Sequence, residues 1–249
     1  MTLSIVIPVY NEKNLLPKIL YKLIQETPNI NKEFIIVDDC SNDGTEKWLT
    51  KLKKFNYLNL KKKKLNFLKV KKNKNLKIFL KNKNEGKGSA VKIGLKNTSN
   101  NIIVIQDADL EYFPSDLNKM ISLIRKNKCE IVFGNRFSRK KKNIYHYFFY
   151  AIGNFFLSAY TSMLFNTKLS DIAVCYKMFK KEVINELDFD CNDFMFDFEF
   201  TSKILKKKKW RVLETNILYK GRTFEQGKKI SWIDGFRSLL INTKIKIFS

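Results

Sequence analysis

Short apolar runs alternate with helix-like patterns through the first half of this sequence. The runs are rich in Val and Ile and have no polar side of their own, which is typical of strands in a parallel sheet that is covered on both faces. Predicted strands lie at 4–9, 33–37, 67–70, 76–80, 101–106 and 130–133. Predicted helices lie at 14–25, from 43 onward, and at 87–96 and 115–126. The alternation predicts an α/β fold with a mostly parallel sheet and helices on both faces.

The alternation breaks after residue 138. An aromatic helical segment follows, and the later predictions are a strand-like VCYKMF, a helix at 196–207, a strand at 211–214 and an amphipathic helix from about 231. A chain of 249 residues is long enough for one well-buried domain with an appendage. We therefore expect a single domain over 1–249, made of the halves 1–138 and 139–249. The stretch 51–83, rich in Lys, Asn and Leu, is expected to be a surface excursion without a catalytic role.

The formal net charge of +24 is the most unusual feature of the composition. Nucleic acid, an anionic membrane surface and polyanionic ligands are the usual partners of such a chain. The alternative is a drift toward Lys on solvated faces, because only six of the 48 basic residues are Arg. A nucleic-acid-binding module would interleave exposed aromatic and basic residues. The sequence contains no such module, and we expect no nucleic-acid partner.

Cysteine usage and the apolar segments bear on the compartment. Cys40, Cys129, Cys175 and Cys191 form no CxxC pair, which favours reduced thiols in a cytoplasmic protein and makes a zinc site improbable. The segment 144–165 is the nearest to a membrane span, but its polar residues make it marginal. With the basic run 139–142 before it, the segment fits a helix lying on an anionic membrane surface. A buried helix packed on the sheet is the alternative.

Polar motifs follow the predicted strands at their carboxyl ends, where α/β sheets bind ligands. They read PVYNE, DDCSNDGT, QDADLE and GNRF. Asp107 and Asp109 can converge on one divalent cation if the backbone turns between them, and such a cation would neutralise a diphosphate leaving group. A solvated turn in which Asp caps the next helix is the alternative. The glycines of NEGKG suit an anion at a helix start, but the P-loop pattern is absent.

The motifs VIPVYNE, VDDCSNDGT, NEGKGSAVKIG, IQDADLE, GNRF, LSDIAVCYKMF and GRTFEQGKKISWIDG occur in this order. In order and spacing they resemble family 2 glycosyltransferases, and within them the branch similar to dolichyl-phosphate mannosyltransferase and its polyprenyl-phosphate relatives. The resemblance covers essentially the whole chain. It implies a GT-A fold, in which 1–138 binds a nucleotide-sugar. The half 139–249 would form an acceptor-side extension of helices and strands, with an interfacial helix and a C-terminal helix.

The resemblance also implies roles for individual residues. The residues expected to bind the donor are Pro8, Tyr10, Glu12, Val37, Asp39, Asp107, Ala108, Asp109, Arg136, Arg222 and Lys228. The expected ligands of Mg²⁺ or Mn²⁺ are Asp107, Asp109 and Glu111, with Asp109 as the principal one. Asp109 and Arg136 are the expected catalytic residues, and Arg136 would lie near the acceptor phosphate. Arg222 and Lys228 are expected to close over the diphosphate from a mobile loop in which Glu225 is the only obvious acidic partner.

The implied reaction is an inverting transfer of a sugar, of the GDP-mannose or UDP-glucose type, to a polyprenyl or dolichyl phosphate. The expected place of action is the inner face of the membrane, with the protein attached peripherally. An anionic phosphate needs no general base, whereas a glycan hydroxyl, the alternative acceptor, does. Asp197 and Glu199 are the candidate bases, unless they only begin a helix between core Phe residues. The chain departs from the family pattern at 172–175, Ile-Ala-Val-Cys, where acceptor contacts are expected.

Overall fold

The structure, a computed structural model, describes residues 2–55, 59–62, 65–69, 75–137, 148–223, 225, 227 and 232–248. Its strands are β1 Thr2–Val9, β2 Asn31–Asp38, β3 Asn59–Lys62, β4 Leu65–Lys69, β5 Leu76–Leu80, β6 Ile102–Ile105, β7 Ile131–Asn135, β8 Lys177–Lys180 and β9 Val212–Asn216. Its α-helices are α1 Leu16–Gln25, α2 Thr45–Phe55, α3 Lys87–Lys96, α4 Leu117–Arg125, α5 Phe148–Phe165, α6 Lys181–Ile184, α7 Phe196–Lys207 and α8 Trp232–Phe248.

A seven-stranded sheet in the order β5-β2-β1-β6-β8-β7-β9 organises the described chain. Neighbouring strands run parallel except at β8, which is antiparallel to both β6 and β7. In β1, residues 3–9 are all buried, so both faces of this strand are covered. The strand-like VCYKMF thus enters the middle of the sheet in the reverse direction. The predicted strand at 67–70 instead falls within β4, up to residue 69, and pairs with β3 in a separate two-stranded sheet.

Close packing of α3 on β1 depends on a glycine. A Cβ atom added to Gly94 would lie 2.3 Å from Cγ1 of Val6, which is far shorter than a non-bonded contact between carbon atoms. The helix axis therefore approaches the strand more closely than a side chain would allow. This approach holds the first turn of α3, which carries Lys87, beside the carboxyl ends of β1 and β6.

Helices α5 and α8 pack against one another in the second half, and each has one buried and one exposed side. Asn242 of α8 donates a hydrogen bond to Thr161 of α5 at 2.8 Å, and both side chains are buried. The exposed side of α5 carries Ile152, Phe155, Phe156 and Met163, and that of α8 carries Ile233, Phe236, Leu240, Ile247 and Phe248. We call these two rows the apolar rows. Each has the i, i+3/i+4 spacing of a single helix face.

One side of α5 packs on the protein and the other side is exposed. A place for the segment 144–165 on a membrane surface stays a prediction. Among the helices that the structure describes, none is both long enough and apolar enough to cross a bilayer. The basic run 139–142 and the first residues of the segment lie outside the described residues.

Candidate active site

A cavity of about 350 Å³ opens at the carboxyl ends of β1, β2, β6 and β7. Motifs that are far apart in the sequence meet there. The residues of the predicted site that line it are Pro8, Tyr10, Glu12, Asp39, Asp107, Ala108, Asp109, Glu111, Arg136 and Arg222. Its size falls within the range of small-molecule sites.

One described residue of the predicted site, Val37, is not in the lining. Val37 is fully buried in β2, where it pairs in register with Pro8 of β1, and its side chain packs in the core. A side-chain contact between Val37 and a base is therefore not supported. Of the two residues predicted to hold the base, Asp39 lines the cavity and Val37 does not. Lys228 lies outside the described residues.

Asp39 joins the second strand to the start of α3. Its carboxylate accepts hydrogen bonds from the backbone N–H groups of Glu85 (3.1 Å) and Gly86 (2.7 Å) and forms an ion pair with Lys81. Gly86 has a φ of 101°, a conformation that few residues other than glycine adopt. Asp39 is thus held at the rim of the cavity by the glycine-rich segment that follows β5. Lys81, a partner that sequence reasoning did not anticipate, comes directly after β5.

The backbone turns in the QDADLE motif after the two aspartates, rather than between them. Leu110 has a φ of 63°, and the N–H of Glu111 donates to Asp109 Oδ1 at 3.1 Å. The turn therefore brings Asp109 and Glu111 together. Asp107 faces Lys87 instead, whose Nζ lies 2.9 Å from its Oδ1. The predicted convergence of Asp107, Asp109 and Glu111 therefore does not include Asp107. Among the described residues, no group of three or more metal-binding side chains forms.

Asp109 and Glu111 nevertheless fit a divalent cation. Burial and the nearby carboxylates of Glu111 and Asp107 raise the pKa of Asp109 to about 7. Mg²⁺ is commonly held by one or two carboxylates together with substrate phosphates. This pair would supply the protein's part of such a site.

Arg222 lies in the middle of this acidic group. Its Nη1 donates to Glu12 Oε1 at 2.9 Å, its Nη2 donates to Asp109 Oδ2 at 3.2 Å, and its backbone N–H donates to Glu111 Oε1 at 2.8 Å. The expectation that Glu225 is its only acidic partner is wrong. Glu12 is 210 residues away in sequence, and only the fold brings the two side chains together. Arg222 is thus tied to the strand ends, and the mobility of the loop stays a prediction.

Arg136 follows β7 and is held by a buried carboxylate. Its Nε and Nη2 each lie 2.7 Å from an oxygen of Asp171, and its guanidinium lies 5.1 Å from the ring centre of Tyr219. Burial opposes its charge, but Asp171 outweighs burial and raises the pKa of Arg136 further. An exposed surface ion pair, the alternative for this residue, does not fit a partner that is 0% exposed.

The two candidate bases, Asp197 and Glu199, are both engaged in buried contacts. Asp197 lies 2.9 Å from Lys87 Nζ and 3.2 Å from Lys177 Nζ. Burial alone would raise the pKa of Asp197, but Lys177 and Lys87 outweigh it and lower the pKa. Glu199 accepts the N–H groups of Asp190 and Cys191 and pairs with Lys203 at 2.7 Å. Neither carboxylate lines the cavity.

A family model described as "Glycosyl transferase family 2" matches residues 4–188, about three quarters of the chain. The matched region contains the strand-end motifs from PVYNE to LSDIAVCYKMF. This chain belongs to glycosyl transferase family 2. The membership predicted from the order of the motifs is confirmed.

The curated relatives of this family 2 chain include sugar transferases named for lipid phosphates. A dolichol-phosphate mannosyltransferase of Pyrococcus furiosus is 31% identical over 142 residues, which cover 57% of this chain and 35% of the relative. An undecaprenyl-phosphate 4-deoxy-4-formamido-L-arabinose transferase of Proteus mirabilis is 29% identical over 48% of this chain and 32% of the relative. The matches thus span about a third of the length of each relative.

Solved structures support the fold. Glucosyl-3-phosphoglycerate synthase of Mycobacterium tuberculosis, in complex with Mn²⁺, UDP and phosphoglyceric acid, has a TM-score of 0.68 at 13% identity. The match covers 98% of this chain and 78% of that one. A second structure of that synthase, with Mg²⁺ and UDP, has a TM-score of 0.67 at 14% identity. The predicted GT-A fold is confirmed.

Proposed function

We propose that this chain transfers a sugar from a nucleotide-sugar to a polyprenyl phosphate at a membrane surface, with inversion and with help from a divalent cation. The names of the curated relatives support a lipid-phosphate acceptor. The divalent cations and UDP in the solved neighbours support the donor class.

One observation on this chain carries the proposal: every carboxylate in the described lining of the cavity already has a partner. Glu12 and Asp109 contact Arg222, Asp107 contacts Lys87, and Asp39 contacts Lys81. Glu111 accepts the N–H of Arg222 and the hydroxyl of Tyr219. A general base must reach the proton of the acceptor, and these contacts turn the carboxylates toward groups of the protein. An acceptor that is already anionic does without one, and a phosphate meets that requirement.

The cationic groups of the cavity suit two phosphate-bearing substrates. In the proposed reaction a phosphate oxygen of the acceptor attacks the anomeric carbon of the sugar. The bond from that carbon to the diphosphate breaks, and its electron pair leaves with the nucleoside diphosphate. Arg136, already aligned by Asp171, would hold the acceptor phosphate, and Arg222 would hold the diphosphate with its planar fork.

The donor would lie along the carboxyl ends of the strands that border the cavity. Pro8, Tyr10 and Glu12 line the side at β1, and Asp39 lines the side at β2. Asp109 and Glu111 would hold a divalent cation, Mg²⁺ or Mn²⁺, which stabilises the charge that develops on the diphosphate. Lys228 remains a predicted diphosphate contact, outside the described residues.

The apolar rows would attach the protein to a membrane. Phe155 and Phe156 are 65% and 66% exposed on α5, close to Ala151 and Asn154, which line the cavity. A lipid acceptor that rises from a membrane beside α5 would therefore reach the cavity directly. A peripheral position on the inner, anionic face suits the net charge of +24.

The test is a donor screen with the purified chain. GDP-mannose, UDP-glucose and related nucleotide-sugars, each labelled in the sugar, are incubated with a short polyprenyl phosphate in detergent and Mg²⁺. We expect label in the organic phase for at least one donor. We expect none when the polyprenyl phosphate is replaced by the matching polyprenol, which has no phosphate. Transfer to the polyprenol, or to a soluble glycan alone, would overturn the proposed acceptor.

A further inference from the structure

Asp171 is buried behind the cavity and does not line it, but it contacts a side chain that does. Its two oxygens accept hydrogen bonds from Nε and Nη2 of Arg136, both at 2.7 Å, and Oδ2 also accepts the backbone N–H of Arg136 at 3.1 Å. Three bonds to one residue determine both the position and the plane of its guanidinium. The remaining nitrogen, Nη1, makes none of these bonds.

The carboxylate of Asp171 is itself oriented from helix α5. Asn154 Nδ2 donates to Asp171 Oδ1 at 2.9 Å, and Asn154 Oδ1 accepts the backbone N–H of Ala173 at 3.2 Å. Both ends of the Asn154 amide are therefore used, and the choice of oxygen and nitrogen follows from these two partners. Asn154 is 6% exposed, whereas the next two residues of the helix are the exposed Phe155 and Phe156.

A second residue of α5 holds the same segment without touching Asp171. Ser158 lies one turn after Asn154, and its hydroxyl accepts the backbone N–H of Ile172 at 3.0 Å. Ser158 is 3% exposed, so its burial matches that of Asn154. The helix therefore supplies one contact that reaches the charge on Asp171 and one that supports only the backbone beside it.

We propose that Asp171 and Asn154 are positioning residues of the transfer reaction, which aim the guanidinium of Arg136 at the acceptor phosphate. The inference rests on the proposed function, because it assigns Arg136 to that phosphate. It accounts for the placement of a buried Asp and a buried Asn beside a site arginine, a placement that a simple packing role does not require. Helix α5, whose exposed side carries an apolar row, would therefore orient Asp171 and Arg136 from its buried side, through Asn154.

The experiment compares Asn154→Ala with Ser158→Ala, using the full chain, polyprenyl phosphate in detergent and the donor that the wild type accepts. Asn154→Ala loses two buried hydrogen bonds to this segment and Ser158→Ala loses one, so Tm should fall in both variants and further in Asn154→Ala. Asn154→Ala alone should lower kcat/KM for the acceptor, by about tenfold or more, because small misplacements of a catalytic group cost rate steeply. The affinity for nucleoside diphosphate with Mg²⁺, measured by calorimetry, should change less than about twofold.

A second variant separates charge from size. Asn154→Asp keeps the shape but puts a carboxylate against Asp171 Oδ1, so its acceptor kcat/KM should fall further than that of Asn154→Ala. Equal kcat/KM values for the acceptor in Asn154→Ala and Ser158→Ala would overturn the proposal. It would also be overturned if the affinity of Asn154→Ala for nucleoside diphosphate fell as much as its kcat/KM for the acceptor. Transfer by the wild type to polyprenyl phosphate is measured first, so that a failure of the proposed function is seen separately.

Discussion

Asp109 lies where the protein has concentrated negative charge. Glu111 and Asp107 are its neighbours in sequence, and the left-handed turn at Leu110 directs Glu111 back to it. Such a cluster opposes folding, because like charges repel at short range in a buried site. A buried carboxylate whose pKa is raised by burial and by neighbouring carboxylates is a candidate for a functional site.

Asp109→Asn should remove most of the transfer activity and leave the fold at least as stable. Burial and then repulsion by Glu111 and Asp107 raise the pKa of Asp109, and an uncharged Asn is subject to neither, so the Tm of the ligand-free protein should not fall. The transfer rate should fall about a hundredfold or more, the usual cost of removing a group that stabilises transition-state charge. Full activity in this variant, or full wild-type activity in EDTA, would contradict the proposed cation site.

Arg222→Lys keeps a positive charge and loses the planar fork. One ammonium cannot reproduce the spacing of Nη1 on Glu12 and Nη2 on Asp109. We expect the Tm without ligand to fall by a few degrees, about 1 kcal/mol for a chain of this size, and the transfer rate to fall about tenfold. Both are measured on the same preparation. A lowered Tm with an unchanged rate would assign Arg222 to structure alone.

At the scale of elements, α7 is fixed to the sheet through its first turn. Asp197 links that turn to Lys177 of β8 and Lys87 of α3, and Lys177 is 0% exposed. Among the described residues, Asp197 is the one carboxylate that pairs with Lys177, so its removal would leave this buried ammonium group short of a counter-ion, whereas Lys87 keeps its pair with Asp107. A buried pair of this kind is costly to break even when it contributes little as a whole.

Asp197→Asn should therefore destabilise the protein by about 3–5 kcal/mol, measured from the denaturant midpoint. Asp193→Asn is the matched control, because it weakens the half-exposed pair with Arg237 and keeps an oxygen for the N–H of Met195. The control should change stability by less than about 0.5 kcal/mol. Equal effects of the two changes would show that Asp197 is not a buried anchor.

Helix α5 provides a second test at this scale. Phe155→Ser with Phe156→Ser removes two exposed rings from its apolar row and should weaken co-sedimentation with anionic vesicles by about tenfold or more. Because both rings face outward, the Tm should remain the same. Leu213→Ser, at an exposed apolar site on β9, should leave vesicle binding unchanged. A similar loss in that control would assign the binding to general surface hydrophobicity.

At the scale of the whole molecule, the net charge of +24 predicts how association responds to salt. Vesicles with phosphatidylserine should bind the chain at low salt, and release it as salt rises from about 0.05 to 0.5 M, because each Lys or Arg near the surface contributes about 1 kcal/mol that ions screen. Uncharged vesicles should bind less at every salt concentration. Absence of binding to anionic vesicles at low salt would contradict the membrane proposal.

Local patterns predicted most of this fold, and long-range geometry explains the rest. The boundaries of α7 and β5 agree with the apolar spacing, because burial on a fixed face leaves its period in the sequence. The direction of β8 depends on which strands it joins, and a strand of four residues, Lys177–Lys180, carries no record of that. In the site, the motifs predicted ten of the lining residues, whereas the turn at Leu110 and the reach of Arg222 to Glu12 depend on backbone angles and on residues far away in sequence.

The place of β8 limits how a chain of this kind can acquire a new acceptor. Phe179 of β8 pairs with Ile103 of β6 on one side and with Ile131 of β7 on the other. A recombined gene that exchanged the second half would have to bring a strand matching both neighbours in register at once. Without such a strand, β6 and β7 would present open backbone to solvent and to other chains. New acceptors are therefore more accessible through single substitutions around the cavity than through exchange of modules.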